Sequence, residues 1–172
     1  VKGCADRVFP YITNQKELYH TMIIWPPGCG KTTLLRDIIR QVSDGNSYVK
    51  GCTVGIVDER SEIAGCYLGA AQNDIGHRSD VLDACPKAEG MLMLIRSMTP
   101  KVVAADEIGT KEDVEAIEYA MHCGCRILVT AHGNSVQELK KKPVLGRLIQ
   151  EERFERYIVL KQGDRPGMIE GI

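Results

Sequence analysis

Residues 23–33 read "IIWPPGCGKTT", and no other stretch of the chain limits its fold so sharply. An apolar run stops, glycines crowd together, and a lysine and two threonines follow. Leu34, Leu35, Ile38, Ile39 and Val42 then recur at helical spacing. A strand before and a helix after is the context that the phosphate-binding pattern G-x-x-x-x-G-K-[ST] requires. In that setting Gly28, Cys29 and Gly30 turn successive backbone N–H groups toward a phosphate, at a helix N-terminus whose dipole favours an anion. Lys31 is expected to reach the β- and γ-phosphates of a nucleotide, and Thr32 to place its hydroxyl on Mg²⁺. Pro27 and Thr33 complete the expected nucleotide-contacting loop. A glycine-rich turn without chemistry is the bland alternative, and the strand–loop–helix context speaks against it.

The first glycine of the pattern is replaced by Trp25, the chain's single tryptophan. It precedes Pro26, and a residue before proline is held in the β or polyproline region, which any L-residue adopts. Position 25 therefore has no need of the positive φ that favours glycine. The indole adds bulk beside the loop, where it packs on the core, covers a base or crowds the phosphates.

Strand-like apolar runs alternate with helical segments along the rest of the chain. "TMIIW" (21–25), "CTVGIVD" (52–58), "KVVAAD" (101–106), "RILVTA" (126–131) and "RYIVLK" (156–161) read as buried strands. Residues 86–98 read as a helix with Pro86 in its first turn and Thr99-Pro100 ending it, and residues 111–124 as another closed by Gly124. The last residues read as a β-hairpin turning at "GDRPG", and 65–80 as an ordered loop. Such alternation implies βαβ units and a parallel sheet covered on both faces. The expected class is α/β: a P-loop NTPase built as a RecA-like three-layer sandwich, with a mainly parallel central sheet and a C-terminal β-hairpin. Residues 1–172 are expected to form a single domain.

In "KVVAADEIG" an apolar strand ends in Asp106-Glu107. Asp106 is suited to holding the Mg²⁺ shell through water, and Glu107 to orienting or deprotonating an attacking water. A solvated strand end is the alternative. "RILVTAHGN" gives the next strand a polar end, where Thr130 and His132 would lie beside the γ-phosphate. "VGIVDERSEIAG" ends its strand in Asp58, Glu59, Arg60 and Glu62, pointing charge toward the ligand crevice of a parallel sheet, with plain surface charge as the alternative. Arg60, Arg78 and Arg96 are candidates to meet phosphate.

Composition narrows the partners. With 22 basic and 23 acidic residues, no global field draws the chain to nucleic acid or an anionic membrane. Lys140, Lys141 and Lys142 form the one basic run, which reads as a solvated loop or helix end. Seven cysteines, with no C-x-x-C pair, give no zinc spacing. Cys52, Cys123 and Cys125 read as small buried hydrophobes, and reduced thiols suit a cytoplasmic protein. No apolar run has membrane-spanning length, so any membrane association is expected to be peripheral.

Taken together, "PPGCGKTTLLRDIIR", "VGIVDERSEIAG", "RSDVLDACPKAEGMLMLIRSM", "DEIG", "TAHG" and "FERYIVL" closely resemble the stage III sporulation protein AA family. These are additional-strand P-loop ATPases related to type II and type IV secretion ATPases. The resemblance runs from residue 26 to about 160. It implies Mg²⁺-dependent ATP hydrolysis, with Lys31 and Thr32 in the Walker A motif and Asp106 and Glu107 in Walker B. Asp58, Glu59 and Glu62 resemble the acidic box of secretion ATPases, and His132 their histidine box. Glu107, Glu59 and His132 are thus the expected catalytic group. The resemblance implies a homo-oligomer, expected as a hexameric ring, at the mother-cell side of the forespore membrane. There it would energise a membrane-bound export or channel complex during endospore formation. Trp25 departs from the family's glycine, and the family's N-terminal domain is expected to be missing from this chain. Two rivals stay in view: a nucleotide-binding scaffold with little hydrolysis, and a RecA-like nucleic-acid motor. Balanced charge and few aromatics disfavour the motor, since they leave little for a stacking groove.

Overall fold

The structure, a computed structural model, describes residues 2–26, 31–65, 73–161 and 169–171. A short helix α1 (Phe9–Ile12) and a two-stranded hairpin, β1 (Thr13–Asn14) and β2 (Glu17–Leu18), lead into β3 (Thr21–Trp25) and α2 (Lys31–Asp44). Next come β4 (Val54–Asp58), β5 (Ser79–Asp83), α3 (Lys87–Met98) and β6 (Val102–Ala105). The chain continues through α4 (Lys111–His122), β7 (Arg126–His132), α5 (Val136–Lys140) and α6 (Leu145–Gln150), and closes with β8 (Arg156–Leu160) and β9 (Ile169–Gly171).

The main sheet has the order β5-β4-β6-β7-β3-β8-β9. Its first six strands pair in parallel, and β9 returns antiparallel to β8, with Val159 opposite Gly171. Continuous apolar strands are what a sheet buried on both faces needs. The two faces divide the residues by alternation. Ile23, Ala104 and Leu128 pack with α1 and α2, whereas Met22, Ile24, Val103, Ala105, Ile127 and Val129 pack with α3, α4 and α6. The three-layer architecture and terminal hairpin are those expected. The turn of that hairpin lies outside the described residues, as does 66–72 of the anticipated loop.

Several elements carried no clear signal, and boundaries shift by a residue or two. Strand β5 sits at the sheet edge with three residues half-buried and two exposed, so it needs no apolar run. Helices α5 and α6 are too short to display a period. Helix α1 belongs to the core rather than merely approaching it, since Phe9 and Ile12 are fully buried. Pro86 is the N-cap of α3 and not part of its first turn, while Thr99 ends that helix in the left-handed region (φ 45°), its N–H on the Ile95 carbonyl. Of the cysteines expected inside, Cys125 is buried and Cys52 half-buried, but Cys123 is exposed, because it falls at the C-cap of α4.

Candidate active site at the carboxyl edge of the sheet

In parallel strands the carboxyl ends share one edge, so β3, β4, β6 and β7 bring their terminal residues together there. Strand β3 stops at Trp25 and α2 begins at Lys31. Pro27, Gly28, Cys29 and Gly30 lie between them, outside the described residues. Thr32 and Thr33 occupy the first turn of α2.

Asp106 and Glu107 follow β6 directly. Register places Ala105 opposite Val129, so Thr130 comes level with Asp106. The wholly buried Thr130 hydroxyl donates to Asp106 Oδ1 at 2.6 Å and accepts the Glu107 N–H at 2.7 Å. One hydroxyl thus uses its donor and an acceptor to tie the two acids to the neighbouring strand. Glu107 has φ +53°, a left-handed conformation that costs a residue with a Cβ roughly 1–2 kcal/mol. Its carbonyl accepts a 2.7 Å hydrogen bond from Lys87 Nζ, so the strained residue is held at both of its peptide groups. Its carboxylate meets Arg60 Nη1 at 2.8 Å.

Lys87 was hidden in the sequence as an ordinary first residue of a helix, with nothing in its neighbours to mark it. Its side chain is only 13% exposed and lies 3.9 Å from both Glu59 Oε2 and Asp113 Oδ2. Glu59 also accepts the Lys87 backbone N–H at 3.0 Å, satisfying an end group of α3. Asp113 is placed by a reciprocal capping box with Thr110 at the start of α4. Glu59, Arg60, Lys87, Asp106 and Glu107 line a cleft of about 150 Å³.

The four charges that follow β4, Asp58, Glu59, Arg60 and Glu62, separate by role. Asp58 is buried, and its carboxylate accepts the N–H groups of Glu62, Ile63 and Ala64 at 2.9, 3.1 and 2.9 Å. It organises the loop instead of facing the crevice, a correction to the expectation that all four charges point there. Arg36 of α2 fastens the same loop through the carbonyls of Glu62 and Ile63 at 2.7 and 2.6 Å. Glu59 alone of the box acids reaches the cleft.

His132 pairs in register with Trp25, and the two rings meet edge to face at 4.8 Å. The Trp25 carbonyl accepts the Gly133 N–H at 2.9 Å and Lys142 Nζ donates to the His132 carbonyl at 3.1 Å. The indole also packs against the α2-side core. Of the three arginine candidates only Arg60 is at the site. Arg96 is an exposed residue of the last turn of α3, and Arg78 sits at the opposite edge of the sheet, its Nη1 on the Ser43 carbonyl.

The family model for Sporulation stage III, protein AA matches residues 1–172. The chain belongs to that family. Stage III sporulation protein AA of Bacillus subtilis (strain 168) is 49% identical over 170 residues, which is 99% of this chain and 55% of the relative. The chain therefore spans about half the length of that family member. Among solved structures, the Legionella pneumophila ATPase DotB superposes with a TM-score of 0.62 at 20% identity, covering 91% of this chain and 43% of DotB. The pilus retraction motor PilT with bound ADP gives 0.58 at 16% identity, covering 89% and 47%. At such identities the likeness concerns the fold alone, the one that DotB and PilT share with this chain.

Proposed function

We propose that this family member is a Mg²⁺-dependent ATPase of the secretion type that energises a membrane-associated export or channel complex during endospore formation. The observation that carries the reading is the Thr130 clamp. It presents Asp106 and Glu107 at the carboxyl edge of the sheet, with β7 alone standing between their strand and β3, from which the chain leads to α2. Asp106 and Thr32 offer a carboxylate and a hydroxyl, the hard oxygen donors that Mg²⁺ takes. Bound Mg²⁺-ATP supplies the transferable γ-phosphoryl group and the ion that neutralises its charge. In this reading Lys31 and the backbone of Gly28–Gly30 bind phosphate, with Pro27 and Thr33 beside them. Asp106 orients water in the metal shell. Glu107 takes a proton from the attacking water, and Glu59 and His132 serve nearby. Arg60 pairs with Glu107 until a nucleotide competes for it.

The chain is read as a single ATPase domain that acts in a homo-oligomeric ring, a hexamer in the full protein. Its partners would be membrane-bound sporulation channel proteins at the mother-cell side of the forespore membrane. Among the described residues no helix is long and apolar enough to cross a membrane.

Trp25 favours a second reading, a nucleotide-gated scaffold that scarcely hydrolyses, because its ring lies against His132 beside the loop. The deciding experiment measures Mg²⁺-ATP turnover and ATP affinity for the native chain, Lys31→Ala, Glu107→Gln and Trp25→Gly. The ATPase reading expects Lys31-dependent turnover, with Glu107→Gln keeping affinity and losing about 10²-fold or more in rate. Tight binding without phosphate release in the assembled protein, cured by Trp25→Gly, would favour the scaffold.

A further inference from the structure

A second and wider cleft lies at the other edge of the sheet, where the parallel strands begin. It encloses about 790 Å³ and is lined by five basic side chains against a single acidic one, Glu17. In a chain whose formal net charge is −1, that is a concentrated local field. Ligands of open α/β sheets bind at the carboxyl edge, so the nucleotide reading leaves this cleft unexplained.

The cations are ordered by the topology. Arg78 immediately precedes β5, Lys101 immediately precedes β6, and Arg126 opens β7. Lys50 comes from the segment that leads into β4, the strand between β5 and β6. Register aligns the starts, with Ser79 opposite Val54, Val54 opposite Val102, and Val102 opposite Arg126. Three spacings of about 4.8 Å separate β5 from β7, so the cationic row is roughly 14 Å long. A lone phosphate or carboxylate touches only part of such a row. Lys50 and Lys101 are exposed and form no ion pair among the described residues. Arg126 is held loosely, 3.4 Å from Glu17 and 3.5 Å from Glu155.

The floor is aliphatic, with Leu18, Val42, Val49, Val102 and Met121. No Phe, Tyr or Trp lines the cleft, and its one aromatic ring is the His20 imidazole, whose Nδ1 is taken by the Ile127 N–H, so the lining offers a nucleobase no row of rings on which to stack. The row of separated cations over an aliphatic floor matches an extended peptide. Its alternate side chains project to one side about 6.6 Å apart, and three acids then span about 13 Å. We propose that this amino-edge cleft is a docking site for an extended acidic segment of a partner protein, with carboxylates at alternate positions and aliphatic residues between them.

The test is fluorescence anisotropy on the full chain at physiological salt, using a labelled Glu-Val-Glu-Val-Glu peptide, its Gln-Val-Gln-Val-Gln counterpart, and tripolyphosphate as competitor. The expected result is saturable binding of the glutamate peptide alone. It should weaken about tenfold or more in Lys50→Gln/Lys101→Gln, with ATP affinity and the thermal midpoint unchanged. Lys101→Glu serves as a second variant and should weaken binding further. The proposal is overturned if the glutamate peptide fails to saturate, if the variants bind as the native chain does, or if tripolyphosphate displaces it at equal concentration. The last result would make the cleft a small-anion site.

Discussion

Glu107 and His20 are the two residues whose geometry carries the sharpest consequences. Glu107 keeps a left-handed backbone at φ +53° because Thr130 and Lys87 hold its N–H and carbonyl, each at 2.7 Å. Removing the Lys87 ammonium should let that residue relax. Lys87→Met is expected to lower kcat roughly tenfold or more with little change in KM, and Lys87→Arg to recover part of the loss. Steady-state phosphate release checks the split, and an effect confined to KM would remove Lys87 from the positioning of Glu107. His20 accepts the Ile127 N–H on Nδ1 at 3.1 Å, which only a ring unprotonated at Nδ1 can do. Burial pushes its pKa below the ordinary 6.5, Glu155 opposes that shift, and Arg126 adds to it. A base with a depressed folded pKa stabilises the protein fully above the unfolded value, and the contribution is lost as pH falls from there through the folded value. Urea midpoints should therefore drop more between pH 8 and pH 5 in the native chain than in His20→Ala. Equal slopes would mean that His20 contributes nothing.

Elements decide which side chains meet. Helix α3 lies so close on β4 that a Cβ at Gly90 would stand 2.8 Å from Val57 Cγ1. That close approach brings Lys87, three residues earlier, to the carboxyl edge. Gly90→Val is expected to cost about 1–3 kcal/mol through overpacking, read from chemical denaturation. Turnover should fall with it, because α3 must move outward and carry Lys87 away. A variant as stable as the native chain would show that the helix–sheet contact yields freely. The N-terminal segment is fixed in a comparable way to α2. Buried Asp37 accepts the N–H groups of Gly3 and Ala5 at 3.1 and 2.9 Å and pairs with Arg40 at 2.8 Å. Burial would raise its pKa, but the bonds from Ala5, Arg40, Gly3 and Gln41 prevail and lower it. Loss of that attachment belongs to acid pH, below the usual carboxylate range.

At the scale of the molecule, the two edges of one sheet are chemically different. The carboxyl edge gathers Glu59, Asp106 and Glu107 around Arg60 and Lys87, whereas the amino edge gathers Lys50, Arg78, Lys101 and Arg126. If the proposed ring completes its sites between subunits, turnover per chain should rise with protein concentration as larger species appear in sedimentation velocity. A concentration-independent rate from a monomer would count against ring-dependent catalysis.

Much of this protein is legible in its residues alone. Local chemistry carries the apolar strand before Asp106-Glu107, the helix that follows the glycine-rich stretch, and the alternation that places β3, β6 and β7 inside a parallel sheet. These signals depend on neighbours within a few positions, which a sequence displays directly. Edge strand β5, the structural role of Asp58 and the grip of Lys87 on Glu107 were not legible. Each depends on packing between segments far apart in the chain. Lys87 became part of the site only because α3 settles on β4, and the cationic row exists only because Arg78, Lys101 and Arg126 begin neighbouring strands. The sequence by itself determined the class of fold, because apolar alternation and helical spacing are local signals. Tertiary structure alone decided which charges stand together, because pairing register and helix–sheet packing bring distant residues within hydrogen-bond reach.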